Sequence, residues 1–530
     1  MATAREIVIV GAGHNALVTA FYLARRGMKP LVIERRPVVG GAAVTEEIHP
    51  GFRCSALAHA VGPLHAEIAR DMQLASRGLQ MLESPVRLFA PSPEGRALLL
   101  ASTPGAAARQ IETFSPRDAA SYFELQAALA RAAAITSQLL TLTPPEIEQP
   151  STSDLWKLAK LGLKLRGLGK KEMMRLLRWG PMPVADFVSE FFETDLLRAA
   201  LAARGLFGAA MGPWSAGSTA LLLLRAASDP NPAGTAAFPR GGMGALTSAM
   251  AAAAKQAGAE IRTGAEVKQI LVKSGAVVGV ALGSGEEISA KRVVSGADPQ
   301  RTFLRLLDPG ELPPTFAAKI RNYRCQGVAA KLNLALDSLP AFTALRDSPE
   351  ATSALAARIH IGPGIDYLER AFDHSKYGEF SRAPYLDVSI PSVLDDSLAP
   401  AGKHVMSIHM QFAPYKLKRG DWAQSRDALA DTIIQTLAAY APDLPAKILA
   451  RQVITPADLE DTYALTGGHP SHGELALEQL FTMRPVLGWA RYRAPVKHLY
   501  LCGSGTHPGH ALNGISGANA AREILKDVGR

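Results

Sequence analysis

An α/β fold, with a Rossmann-like first unit and an inserted α+β unit, is predicted by three features of the sequence. The strand-like run Ile7–Val10 leads through a glycine turn into an apolar-periodic segment that ends near Arg26. A second apolar run, Pro30–Ile33, closes on the acid Glu34. Glycine-rich, strand-like sequence returns at 238–298 and in the last fifty residues, with helical and mixed stretches between. Strand, helix and parallel strand open a dinucleotide-binding sheet, and short strands that are apolar throughout are those buried on both faces.

In chain order, residues 1–78 make the first part of the nucleotide-binding domain. Ala/Leu-rich segments punctuated at Pro85, Pro91–Pro93, Pro144-Pro145 and Pro181–Pro183 predict that 79–237 is the helical part of an inserted substrate domain. Residues 238–298 return to the first domain with a helix through Ala257 and strands at Glu260–Arg262, Val267–Val272, Val277–Leu282 and Arg292–Ser295. Strands at Ala329–Leu336, Tyr385–Ile390 and His404–Gln411, with a helix at Asp427–Tyr440, predict that 299–480 is substrate domain built on an antiparallel sheet. Residues 481–530 complete the nucleotide-binding domain.

Gly11-Ala12-Gly13-His14-Asn15-Ala16 is a G-x-G-x-x-A fingerprint between strand and helix. Gly11 permits the tight turn, Gly13 lets backbone approach a pyrophosphate, and Ala16 lets helix and strand pack closely above the helix N-terminus. Glu34, 23 residues after Gly11, can accept from both ribose hydroxyls and would repel a 2′-phosphate. The pair Gly40-Gly41 leaves backbone space for a bulkier cofactor, which makes FAD the expected ligand. Near the other end, Leu499–Pro508 and Asn513–Asn519 place two glycine turns before a terminal helix, whose N–H groups suit the carbonyls of a flavin.

These segments, with Phe238–Leu246 and Val293–Pro299, resemble the phytoene-desaturase-like FAD-dependent oxidoreductases: carotenoid desaturases, isomerases and ketolase-type proteins. Gly467–Glu474 and Phe481–Pro485 are most similar to the branch of pyridine nucleotide-disulfide oxidoreductase domain-containing protein 2. The resemblance runs nearly end to end and implies a glutathione-reductase-type FAD-binding domain. It implies that Gly11, Gly13, Asn15, Ala16, Glu34, Arg35, Gly41 and Ala42 bind FAD, and that Val267 contacts adenine. It places Gly505, Gly514, Ile515 and Gly517 along the ribityl chain and isoalloxazine. The dithiol in the branch's name has no counterpart, because Cys54, Cys325 and Cys502 are far apart and form no C-x-x-C.

A flavin dehydrogenase needs a base where a proton leaves with the hydride, and a dry slot beside the ring. His472, in a glycine-rich loop shortly before the returning strand, and His59 are the candidates, with a hydrogen-bonded structural role as the alternative for each. His507, in a Thr-His-Pro turn, reads as a residue that fixes backbone. His469, His472 and Glu474 have a ligand-like spacing but lie in a proline-containing loop, so no metal is expected. The expected function is a dehydrogenase or desaturase acting on a hydrophobic isoprenoid or lipid-like substrate. Oxygen or a quinone is the expected acceptor, since no second nucleotide fingerprint occurs. A ketolase- or isomerase-like activity, or a non-catalytic FAD-binding protein at a membrane, are the alternatives.

The 530 residues carry 57 Lys+Arg against 48 Asp+Glu, a formal charge of +9. Seven of those nine charges sit in Leu155–Arg178, where eight basic residues face one acid, Glu172. The rest of the surface is therefore nearly balanced, and with no zinc spacing or aromatic-studded basic strand, nucleic acid is not an expected partner. Two short basic amphipathic helices joined at Gly167-Leu168-Gly169 would suit an anionic membrane surface, or would simply be a solvated face. Leu196–Met211, interrupted by Arg198 and Arg204, reads as a buried helix and not a span. With the fold starting six residues from Met1 and few cysteines, a cytoplasmic protein is expected, peripheral at most on the inner membrane face.

Overall fold

A computed structural model describes residues 4–58, 62 and 64–529. The first sheet has five parallel strands in the order Leu499–Leu501, Val293–Ser295, Ile7–Val10, Pro30–Ile33, Glu260–Arg262. Its strands come from the beginning, the middle and the end of the chain, so the central strand Ile7–Val10 pairs with Val293–Ser295 on one side and Pro30–Ile33 on the other. Alternate side chains serve different layers. Ile7, Ile9 and Val32 pack under the helices His14–Arg25, Met243–Gln256 and Ile515–Asp527. Val8, Val10, Leu31 and Ile33 pack on the three-stranded antiparallel sheet Val267–Lys273, Ala276–Leu282, Glu287–Ser289. Apolar residues at every position follow from burial on both faces.

The second sheet has seven strands in the order Ile448–Ile454, Ala329–Leu336, His404–Gln411, Leu386–Ser389, Arg358–Ile361, Val86–Pro91, Ala97–Ala101. Its pairs are antiparallel except Arg358–Ile361 with Val86–Pro91. This corrects the expectation for 79–237, which is not all helical: it contains a β-hairpin that completes this sheet, and a further short strand, Met81–Glu83. The prolines that read as helix breaks flank a hairpin turn, in which Ser92 N–H donates to the Arg96 carbonyl at 2.8 Å and Gly95 takes φ +79°. The remainder of the stretch is helical, including the 26-residue helix Pro116–Thr141. Of the stretch Leu196–Met211, expected to be one buried helix, only the part within the helix Asp195–Ala202 and the 3-10 turn Ala203–Gly205 is helical, and residues 206–211 continue outside any helix. Among the described residues no helix is long and apolar enough to cross a membrane.

The two ends of the chain meet where helices His14–Arg25 and Ile515–Asp527 touch. Thr19 Oγ1 donates to the carbonyls of Asn15 and Gly517, both at 3.0 Å. A Cβ at Gly517 would lie 2.1 Å from the Asn15 carbonyl oxygen, so only glycine allows this approach. Gly517→Ala is therefore expected to cost about 1–3 kcal/mol through overpacking. Gly162→Ala, in the exposed helix Thr152–Gly167 with open space around it, should leave the thermal midpoint unchanged or raise it. Thermal unfolding of the two variants beside the parent checks both.

Candidate functional site

The opening turn leaves a positively polarised cradle. Gly11 takes φ +88°, a conformation that favours glycine, and its N–H donates to the Ile33 carbonyl at 2.7 Å. Gly13 caps the helix His14–Arg25 with no side chain bonded to its free N–H groups, no acid occupies the first turn, and a Cβ on Gly13 would meet open space. Such an end is an anion site. Gly40 closes the other side: its N–H donates to the Ala12 carbonyl at 2.9 Å, and a Cβ there would lie 2.6 Å from Thr247 Oγ1. Glu34 is 6% exposed and rigidly held, its Oε2 accepting from Ala12 N–H at 2.8 Å and its Oε1 from Arg36 N–H at 2.9 Å.

One cavity runs from this cradle into the second half of the molecule. Gly11, Gly13, Asn15, Ala16, Glu34, Arg35, Gly41, Ala42, Val267 and His472 all line it. Gly505, Gly514, Ile515 and Gly517 are not on its wall. They serve packing: a Cβ on Gly505 would lie 2.4 Å from Pro299, and one on Gly514 would lie 3.1 Å from Val18. At the C-terminal end the wall is made instead by Gly503, Ser504 and Gly509–Leu512. Asn15 ties the two motifs together, donating to Ser504 Oγ at 3.2 Å and accepting from Gly517 N–H at 3.3 Å. His59 lies outside the described residues.

His472 sits at φ +56° with its Nδ1 buried and unbonded, and burial holds its pKa below the ordinary histidine value. His14 also lines the cavity with an unbonded Nε2, and burial with the neighbouring His472 pushes its pKa down to about 4. These imidazoles are therefore neutral at ordinary pH. His507 donates or accepts at the Leu139 carbonyl, 2.7 Å away, and so fixes backbone. His469 accepts from Ser471 N–H at 3.1 Å, while Glu474 pairs with Arg324 at 2.7 Å. The three thiols are buried and pushed up to about 12 by that burial, which makes them poor redox nucleophiles.

Several buried cations near the cavity carry no local sequence signal. Lys331, on the strand Ala329–Leu336, is fully buried, donates to the Leu57 carbonyl at 3.0 Å, and is pushed down to about 7 by burial. Arg204, Arg225 and Arg358 reach the cavity from separate elements. Arg484 is fully buried and donates only to carbonyls, those of Ser471, Gly473, Glu474, Gln479 and Ser504. The free helix N-terminus, the open space before Gly13, the anchored ribose acid and the unbonded imidazoles beyond fit a flavin dinucleotide.

Known proteins agree with that fit. The chain is 36% identical to pyridine nucleotide-disulfide oxidoreductase domain-containing protein 2 of Rattus norvegicus over 99% of this chain and 94% of that protein. It is 29% identical to a limonene dehydrogenase component from Castellaniella defragrans, covering 99% and 95% of the two chains. It is 26% identical to the lycopene-forming phytoene desaturase of Pseudescherichia vulneris, covering 98% and 99%. The family described as flavin containing amine oxidoreductase matches residues 17–525. With a Rossmann-like sheet, a pyrophosphate cradle and that match over nearly the whole length, the chain belongs to the flavin containing amine oxidoreductase family, whose cofactor is FAD.

Proposed function

We propose that the protein is a FAD-dependent dehydrogenase or desaturase that takes hydride from a hydrophobic isoprenoid or lipid-like substrate and passes electrons to oxygen or a quinone. The observation that carries this reading is the continuity of the cavity. The anion cradle and an apolar wall of Leu57, Ala58, Phe207 and Leu475 line the same space, so an apolar substrate would lie desolvated beside the cofactor. The names of two relatives, a limonene dehydrogenase component and a phytoene desaturase, refer to isoprenoids and support the substrate class. Residues 79–237 and 299–480, whose strands share one sheet, are assigned to the substrate domain.

Bound FAD supplies a two-electron acceptor for hydride. The chain does the rest. The N–H groups before helix His14–Arg25 hold the pyrophosphate, and Glu34 receives the ribose hydroxyls. The neutral His472 can hold a departing proton at its unbonded Nδ1, with His14 beside it. Gly503 and Ser504 line the same wall.

Anaerobic addition of an apolar lipid extract to the holoprotein is expected to bleach the oxidised flavin band. A flavin that stays oxidised with every extract overturns the dehydrogenase reading. His472→Asn should retain flavin but slow its reduction by about 100-fold or more, the usual weight of a positioned base, in rapid-mixing experiments. An unchanged rate would leave His472 a wall residue.

A second surface supports membrane contact. In helices Thr152–Gly167 and Lys170–Trp179 only Asp154 and Trp179 are buried. Trp156 is 66% exposed and Leu163 64%, and Leu155, Met174 and Leu177 are exposed as well. Leu158, Leu161 and Leu165, on helix Thr152–Gly167, are half-buried. Lys157, Arg175 and Arg178 pair with Asp154, Glu172 and Glu190. No ion pair among the described residues engages Lys160, Arg166, Lys170 or Lys171, and these would face an anionic headgroup layer. At about 1 kcal/mol per surface-bound Lys, replacing Lys160, Lys170 and Lys171 with Gln should weaken binding to phosphatidylserine vesicles by roughly 100-fold. Unchanged co-sedimentation would remove this contact.

A further inference from the structure

Away from the glycine cradle, the cavity wall carries three guanidinium groups, Arg204, Arg225 and Arg358. Arg358 is compensated, its Nε donating to Asp387 Oδ1 at 3.2 Å and its terminal nitrogen to Oδ2. Arg87 is compensated by Asp229 at 3.0 Å. Arg204 and Arg225 have no carboxylate within ion-pair distance among the described residues. Arg204 donates to the carbonyls of Asp229 at 3.0 Å and Pro232 at 3.2 Å, and Arg225 to those of Arg204 and Phe207.

A carbonyl satisfies a donor without cancelling a charge. Four guanidinium groups against two carboxylates leave two positive charges in a region where Arg204 is only 8% exposed. Uncompensated ions of that depth are costly unless something pairs with them. The same wall carries His510, 2% exposed, with neither ring nitrogen hydrogen-bonded among the described residues. Burial and the field of Arg225 push its pKa down to about 3, so the ring is neutral and retains one N–H to donate. The pyrophosphate of FAD does not account for these groups, because it has its own site at the N-terminus of helix His14–Arg25.

We propose that Arg204, Arg225 and His510 bind an acidic head group, a carboxylate or a phosphate, on the hydrophobic substrate. This rests on the dehydrogenase reading and narrows it: the substrate is an amphiphile whose apolar body lies along Phe207 and Leu475, and not a pure hydrocarbon. A charge-assisted contact to guanidinium is the strong kind, and a neutral analogue would leave both cations unpaired.

The test titrates the oxidised holoprotein in air with dodecanoate, dodecyl phosphate and dodecanol, each below its micelle-forming concentration. Binding is read from the flavin absorption spectrum and from the thermal midpoint, neither of which requires turnover. One anion or both should bind at least about tenfold tighter than dodecanol. The better of the two identifies carboxylate or phosphate as the head group. Arg225→Gln should abolish the preference, and His510→Phe should reduce it where Arg225→Gln fails to accumulate as flavoprotein. Equal binding of all three probes, no binding by either anion, or a preference retained in the variants overturns the proposal. Bleaching by lipid extract reports on the dehydrogenase reading separately: anion-selective binding with a flavin that no extract reduces would leave this site standing and remove that reading.

Discussion

The buried guanidinium of Arg484 holds together the loops at the His472 end of the cavity. Among the described residues it has no carboxylate partner, and it lies among five carbonyls, which come from the loop that carries His472, from the segment that follows it, and from the glycine turn at Ser504. Carbonyls at the corners of irregular loops cannot be satisfied by a helix or a sheet, and water is excluded here, so one planar, permanently charged fork serves them all. The conformation of His472 depends on it, as does the position of Ser504, through which Asn15 links the C-terminal turn to the opening glycine motif. Burial lowers the pKa of Arg484, yet a guanidinium starts so high that the charge stays.

Burial sets the charge state of the imidazoles on the cavity wall. Burial together with His472 lowers His14 to about 4, and burial together with Arg225 lowers His510 to about 3. The imidazoles that face the cavity are thus bases awaiting a proton and not acids ready to give one. Positive charge comes from the arginines and from the free end of helix His14–Arg25, both on the side of an electron-rich or anionic ligand.

Much of the nucleotide half was legible in the sequence because its determinants are local. Gly11 needs a positive φ, Gly13 needs open space, and Glu34 falls at a fixed distance along one strand-helix-strand unit. Strands such as Glu260–Arg262 and Ala329–Leu336 were readable to the residue for the same reason. The hairpin Val86–Ala101 was not, since prolines punctuate a hairpin and a broken helix alike, and only pairing with Arg358–Ile361 distinguishes them. The glycines at 505, 514 and 517 lie where backbone or side chain of the protein comes close, and a glycine pattern in the sequence does not say whether a close neighbour is flavin or protein.

By itself the sequence determined the Rossmann-like opening, the preference for FAD and the concentration of charge in Leu155–Arg178, because each is written within a few tens of consecutive residues. The tertiary structure alone decided what faces the cavity. Arg204, Arg225, Arg358 and His510 come from separate elements, and none belongs to a spacing that names its role. Their meaning lies in burial and in the absence or presence of a countercharge a few ångströms away, and those follow from how distant segments pack, which no local pattern records.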